Sequence, residues 1–309
     1  MKKKILILTV SKKAATYSKD ASMYGIQVDT IFKRKNILIK SICKVDRLLG
    51  TNLARLFFNT WKNILNEYQD VILVAHPDSV QVTQYINHTY PKIKVHIWYN
   101  NPVNKEVNPA KFKETDSTIY SFDLKDSQKY NLQYVNQYID LKPIREVLDK
   151  QNDTNVLYDL IFIGRSKGRL PQLLKYKKLF DGAQFKTYYH IVASDEDRFY
   201  QDYTFENEIS YQKMLMLQSQ SRAILDVLQD GQYGTTLRPL EALFMKKKLI
   251  TNNVNIDKED FYHPNNIYIL TERTTIQDLI EFMELDFQKI HRNITEKYTF
   301  KGWVDCIVK

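Results

Sequence analysis

The sequence predicts an α/β protein of two domains, each a parallel sheet layered with helices, the two facing each other across a cleft. Three observations predict it. The chain has 309 residues, about the length of two ordinary domains. Short β-rich apolar runs alternate with helix-length stretches from end to end, the pattern of βα layering. Near the middle, from Pro143 to Leu157, charged and amide residues displace apolar ones, as in a linker. On that reading residues 1–150 form one domain and residues 151–309 the other.

In the first domain Ile5–Val10, Val71–Ala75 and Val95–Tyr99 are strand-like runs, with a helix-length stretch from Asp46 to Tyr68 before the second. Thr118–Phe122 adds a strand that Asp123 closes. Runs this short, lying between helices, suit parallel strands buried on both faces. A second series follows: Leu157–Ile163, Phe185–Ala193, Ala223–Leu228, Lys248–Asn252 and Ile267–Leu270. Thr274 to Lys297 reads as terminal helices. In open parallel sheets ligands lie beyond the carboxyl ends of the strands, so chemistry is sought there.

Composition narrows the function. With 43% hydrophobic and 26% charged residues, the chain is a folded globular protein. Lys2-Lys3-Lys4 before Ile5–Val10 is too short an apolar start for a signal sequence, and no run reaches the ~18 apolar residues of a membrane span. Cys43 and Cys306 are too few for a disulfide framework or a cysteine-based zinc site, and the six histidines show no metal-binding pair. A reducing, cytoplasmic setting is expected. The net charge of +9 favours an anionic partner: a nucleotide, a nucleic acid or an acidic membrane.

Two loops carry the strongest chemical signals. Gly164-Arg165-Ser166-Lys167-Gly168-Arg169 follows a strand directly. Its glycines allow a sharp turn, and its three cations suit a diphosphate, with Arg165 or Arg169 as forks and Lys167 as a point charge. It is neither a Walker loop nor a dinucleotide fingerprint, and a solvated basic turn explains it equally well. The second loop, Gly231 to Thr236, opens a helix with Arg238-Pro239-Leu240-Glu241 in its first turns. Backbone N–H groups near Thr235 and Thr236 can meet a phosphate, and Glu241 can accept sugar hydroxyls. A surface carboxylate that complements the helix dipole is the simpler reading of Glu241.

Taken together, Tyr158-Asp159-Leu160-Ile161-Phe162-Ile163-Gly164, Ile224-Leu225-Asp226-Val227, the Gly234-Thr235-Thr236-Leu237-Arg238-Pro239-Leu240-Glu241-Ala242-Leu243 segment and Lys246 to Asn252 resemble bacterial GT-B glycosyltransferases. The similar group is that of lipopolysaccharide and capsular polysaccharide biosynthesis, related to the CgeB-like set. His96 to Val103 and Tyr120 to Tyr130 extend the resemblance to about residues 71–303. It implies two Rossmann-like domains, the last helices crossing back to the first. It also implies a nucleotide-sugar donor site in the second domain, a UDP-sugar being favoured.

In that family the basic glycine loop and the loop before the glutamate helix hold the nucleotide diphosphate, and the helix carboxylate holds the ribose. Those roles fall on Gly164, Arg165, Lys167, Arg169, Gly234, Thr235, Thr236, Arg238 and Glu241. The Glu-x7-Glu pattern of many retaining members is broken here, since no glutamate precedes Glu241 at that spacing. Retention and inversion both stay open.

The acceptor implied is a growing surface glycan or a lipid-linked oligosaccharide at the inner face of the cytoplasmic membrane. The basic clusters Lys2-Lys3-Lys4, Lys12-Lys13 and Lys33-Arg34-Lys35 would favour an anionic membrane surface.

Other features keep two readings. His76 or Asp78, after the strand Val71–Ala75, can act as a base on an acceptor hydroxyl, or can simply end the strand beside Pro77. Asp195-Glu196-Asp197 has the DxD spacing by which GT-A transferases hold a metal, or is a charged turn. The GT-B reading needs no metal and no other cofactor. A nucleic-acid-binding protein would explain the charge, but no motif for one is present, and no nucleic-acid partner is expected.

Overall fold

The computed structural model describes residues 4–10, 21–33, 36–51, 53–150, 156–197, 199–200, 202–229 and 234–309. The chain forms two compact units: Met1–Asp140 with Phe300–Lys309, and Leu141–Thr299.

The first unit holds a six-stranded parallel sheet of order β2-β1-β3-β4-β5-β6. Its strands are β1 Ile5–Thr9, β2 Ile26–Thr30, β3 Asp70–Val74, β4 Lys94–Tyr99, β5 Ser117–Ser121 and β6 Gln133–Tyr134. Alternation along the strands feeds two separate cores. Leu6, Leu8, Val71, Leu73, Val95 and Ile97 pack on one face with Trp61 and Phe58. That face is covered by helices α1 (Ile37–Leu49) and α2 (Pro77–Thr89), through Ile39, Cys43, Val82 and Ile86.

Ile5, Ile7, Ile72, Trp98 and Tyr120 face the other way, against the last helix of the chain, Phe300–Ile307. Trp303 of that helix lies 4.6 Å from the Trp98 ring and 4.5 Å from the Tyr138 ring. The Tyr120 hydroxyl donates to the Ile307 carbonyl at 3.0 Å. Truncating a buried tryptophan to alanine costs about 3–5 kcal/mol, so the C-terminal helix is a working part of the first core.

Two local expectations change. The stretch from Asp46 to Tyr68 is not one helix. Gly50 closes α1 in the left-handed region at φ 65°, and 3₁₀ turns at Leu53–Phe57, Thr60–Asn63 and Leu65–Glu67 follow. Asn59 caps the second of these. Strands β2 and β6 were not expected; β2 reads Ile-Gln-Val-Asp-Thr, whose polar alternation belongs to a sheet edge rather than to a buried run.

The second unit holds a five-stranded parallel sheet of order β11-β10-β9-β7-β8. Its strands are β7 Tyr158–Arg165, β8 Thr187–Val192, β9 Ser221–Asp226, β10 Lys248–Thr251 and β11 Ile267–Ile269. Leu160, Phe162, Ala223, Leu225 and Ile250 pack with Leu173, Phe180, Leu279 and Phe282 into its core. Within the expected linker, Leu141–Leu148 is a helix of this unit, and residues 151–155 lie outside the described set. Among the described residues no helix is long and apolar enough to cross a membrane.

Candidate functional site

Because β7, β8, β9 and β10 are parallel, their carboxyl ends share one edge of the second sheet. Both predicted loops leave from that edge. The first, after β7, is a tight turn closed by the Arg169 N–H on the Ser166 carbonyl at 2.9 Å. Lys167 and Gly168 stand in the left-handed region, at φ 49° and 74°. Glycine accepts that conformation without strain, whereas a lysine there costs about 1–2 kcal/mol.

What holds the turn is a clamp on the loop after β8. Asp197 accepts from the Ser194 N–H and the Ser194 hydroxyl, each at 2.6 Å, and from the Ser166 hydroxyl. The Lys167 N–H donates to Ser194 Oγ at 2.9 Å. Asp197 is buried. Burial alone would raise its carboxyl, but the Ser166 and Ser194 donors outweigh it and hold the pKa below 3.8. The DxD spacing therefore has a structural explanation here: Asp197 is engaged by serines. Asp195 and Glu196 share its 3₁₀ turn, and among the described residues no cluster of three ligating side chains forms.

The second loop reaches its helix, α7 (Leu237–Met245), at Thr236, which caps it without a side-chain hydrogen bond. Gly231 to Tyr233 lie outside the described residues, while Gly234 is buried. Thr235 donates to Glu259, and Thr236 donates to Asp226 Oδ1 at 3.3 Å. Asp226, at the end of β9, is buried and also accepts from Thr251 at 3.2 Å and from Arg238 at 3.3 Å.

Two arginines join the loops. Arg238 Nη2 donates across to the Ile163 carbonyl of β7 at 2.6 Å while Nη1 holds Asp226. Arg169, from the first loop, donates to the Val227 carbonyl after β9 and to the Ser166 and Arg165 carbonyls at 2.9 and 2.7 Å. Both guanidinium groups lie over the Phe162 ring, at 6.0 Å for Arg169 and 5.2 Å for Arg238. Burial, with Arg238 close by, pulls Arg169 down to about 10; it stays charged at neutral pH. Arg165 and Lys167 lie at the surface instead, Arg165 bonded to the Ala193 carbonyl at 2.9 Å and ion-paired with Glu208.

Glu241 sits in the interior, only 3% exposed. Its Oε2 accepts from Gln218 Nε2 at 3.0 Å, and Tyr211 also donates to it, so it joins α7 to the helix α6 (Tyr211–Ser219). Burial raises its pKa, against the opposing charge of Arg238.

In the first unit, His76 caps α2, its Nδ1 3.2 Å from the Asp78 N–H and 3.3 Å from Asp78 Oδ2. Asp78 is fully buried and ion-paired to Arg47 at 2.8 Å. The imidazole is partly exposed and the carboxylate is not.

The sequence pattern alone assigns no role to Asp226, Ser194 or Gln218. For Asp226 a signal existed: a carboxylate ending the apolar run Ala-Ile-Leu needs a buried partner.

No protein-family model matches the sequence, and no curated protein matches it. Solved structures do. An "alpha-glucosyltransferase in complex with UDP and a 13-mer DNA containing a central A:G mismatch" superposes with a TM-score of 0.61 at 13% identity, covering 99% of this chain and 100% of that one. Sucrose-phosphate synthase from Thermosynechococcus elongatus gives 0.55 at 11%, covering 98% and 97%. The apo lipopolysaccharide outer core galactosyltransferase WaaB gives 0.51 at 11%, again covering 98% and 97%. At such identities the likeness is one of fold: two Rossmann-like α/β units with parallel sheets, the GT-B fold.

Proposed function

We propose that this chain is a glycosyltransferase that moves a sugar from a nucleotide-sugar donor, a UDP-sugar foremost, to a hydroxyl of a growing surface glycan. One observation carries the reading. Arg169 and Arg238 tie two sequence-distant loops to one edge of a parallel sheet, beside a helix start that has no side-chain cap. Such an edge is where a diphosphate is held by backbone N–H groups and cations. The likeness in fold to sugar transferases supports the choice among phosphate ligands.

On this reading the N–H groups at the start of α7, with Gly234, Thr235, Thr236 and the Gly164 turn, receive the diphosphate. Lys167 and Arg165 meet its charge from the surface, as it grows when the glycosidic bond breaks. Arg169, Arg238 and Glu241 are positioning residues: they hold the loops and α7 in place through protein partners. The site needs no metal on this account. His76 is the candidate base on the acceptor side: the Asp78 N–H, donating to Nδ1, orients the neutral ring, and the Asp78 carboxylate, buried against Arg47, favours the imidazolium once a proton is taken. The acceptor, a glycan or lipid-linked oligosaccharide at the inner membrane face, belongs to the first unit.

A second acceptor class has one observation behind it. A neighbour in fold was solved with DNA as well as UDP, and a charge of +9 suits a polyanion. A thermal-shift series with UDP-, GDP-, CMP- and dTDP-sugars tests the donor reading, since a ligand at 100 times its Kd stabilises by ~2.7 kcal/mol. Adding duplex DNA in a salt titration separates the acceptors, because phosphate contacts weaken steeply as salt rises. No shift with any nucleotide sugar would overturn the reading.

A further inference from the structure

We propose that α1 docks this protein on an anionic lipid bilayer, its outward apolar stripe entering the headgroup region and its lysine edge meeting the lipid phosphates. The proposal deepens the acceptor reading, which already puts the reaction at a membrane face, and rests on no part of the donor site.

Helix α1 buries one face only: Ile39 and Cys43 pack into the core and Asp46 is buried against the turn that follows. A helix with no other duty would turn polar residues to solvent on the rest. Here Ile37 is 83% exposed, Leu48 76%, Leu49 72% and Leu38 62%, with Val45 also exposed. At about 100° per residue these five, with Ser41 among them, fall in one arc of about 120°. Leu53 and Leu56, in the 3₁₀ turn that follows the helix, are exposed as well.

Charge selects the occupant. Lys40 and Lys44 are exposed along one edge of the stripe, between it and the buried face; Arg47, on the same edge, is held by Asp78. From Asn36 to Asn63 the only acid is Asp46, against Lys40, Lys44, Arg47, Arg55 and Lys62. Asp46 is buried and accepts the Leu53 N–H at 2.9 Å, so it offers nothing to the surface. A second copy of this chain would set lysine edge against lysine edge with no exposed acid between them. An anionic bilayer offers hydrocarbon to the stripe and phosphate to the lysines at once. With 13 residues the helix is too short to span, which needs ~20 residues, and suits the plane of the interface.

The test uses the full-length protein on vesicles of phosphatidylcholine with and without phosphatidylglycerol. The wild type should float with the anionic vesicles. Leu48→Trp should shift its emission to the blue on them and be quenched by brominated acyl chains. Leu48→Ser/Leu49→Ser/Leu56→Ser should bind roughly tenfold or more weakly while its thermal unfolding is unchanged. Lys40→Gln/Lys44→Gln should lose the preference for anionic lipid. The proposal is overturned if the wild type ignores anionic vesicles, or if Leu48→Trp binds without a change in emission. It is also overturned if the serine variant binds as the wild type does, including where that variant instead turns a dimer into a monomer, which would make a second copy the occupant.

Discussion

A Cβ on residue 164 would meet Nη2 of Arg238 at 3.0 Å, so the missing side chain of Gly164 is part of the site that Arg238 occupies. That contact joins the two loops on which the donor reading depends.

Gly164→Ala should therefore displace the guanidinium and destabilise by about 1–3 kcal/mol. Arg238→Ala removes the bonds to Ile163 and to Asp226 and should cost about 1.5–3 kcal/mol. In the double variant the clash has no partner, so the effects should fall short of additive by about 1 kcal/mol. Urea unfolding of the four proteins measures this; strict additivity would deny that the two residues share the space.

Asp197 makes a prediction at low pH. Its folded pKa lies below the ordinary 3.8, so its contribution is present above that value and is lost as pH falls through the lower one. Asp197→Ala should cost about 1.5–3 kcal/mol at neutral pH and much less in acid, because three donors lose a charged acceptor. An equal cost at both ends of the range would contradict the clamp.

Glu241 has the opposite sign. Burial raises its folded pKa above 4.5, so its contribution is complete below 4.5 and is lost as pH rises through the raised value. Against Glu241→Gln, which carries no titrating group, the wild type should lose relative stability as pH climbs. Chemical unfolding at a series of pH values reads the difference. A pH-independent difference would mean that the carboxyl is not held in the interior.

His76 and Asp78 should separate cleanly. His76→Ala should lower kcat by about 10²–10⁴-fold with donor affinity kept, the range for a lost acid–base group. Asp78→Asn should lower stability as well, because it strips Arg47 of its carboxylate. Unchanged turnover in His76→Ala would remove it as the base.

Much of this was legible because buried parallel strands leave a strong mark. Ile-Leu-Ile-Leu-Thr, Val-Ile-Leu-Val and Leu-Ile-Phe-Ile are apolar on both faces, and each is a strand within a residue or two of its expected bounds. The edge strand Ile26–Thr30 was hidden by its polar alternation. The sequence also named the loops but not the side-chain duties within them. Composition makes Arg165, Lys167, Arg169 and Arg238 equivalent cations. Folding sorts them by depth: Arg169 and Arg238 turn inward to the carbonyls of Val227 and Ile163, while Arg165 and Lys167 stay exposed. The cause lies in contacts between residues distant in sequence, such as Arg238 with Ile163, which no local pattern encodes.

The most direct test is calorimetric titration of UDP into the wild type, Lys167→Ala and Arg165→Ala at two salt concentrations. The account predicts binding to the wild type, weakened by roughly tenfold when Lys167 is removed, as for one charge-assisted contact of ~1.5 kcal/mol. It predicts a loss for Arg165→Ala as well, since that side chain is also exposed on the same loop. Absence of binding by any nucleoside diphosphate, or equal affinity in all three proteins, would contradict it.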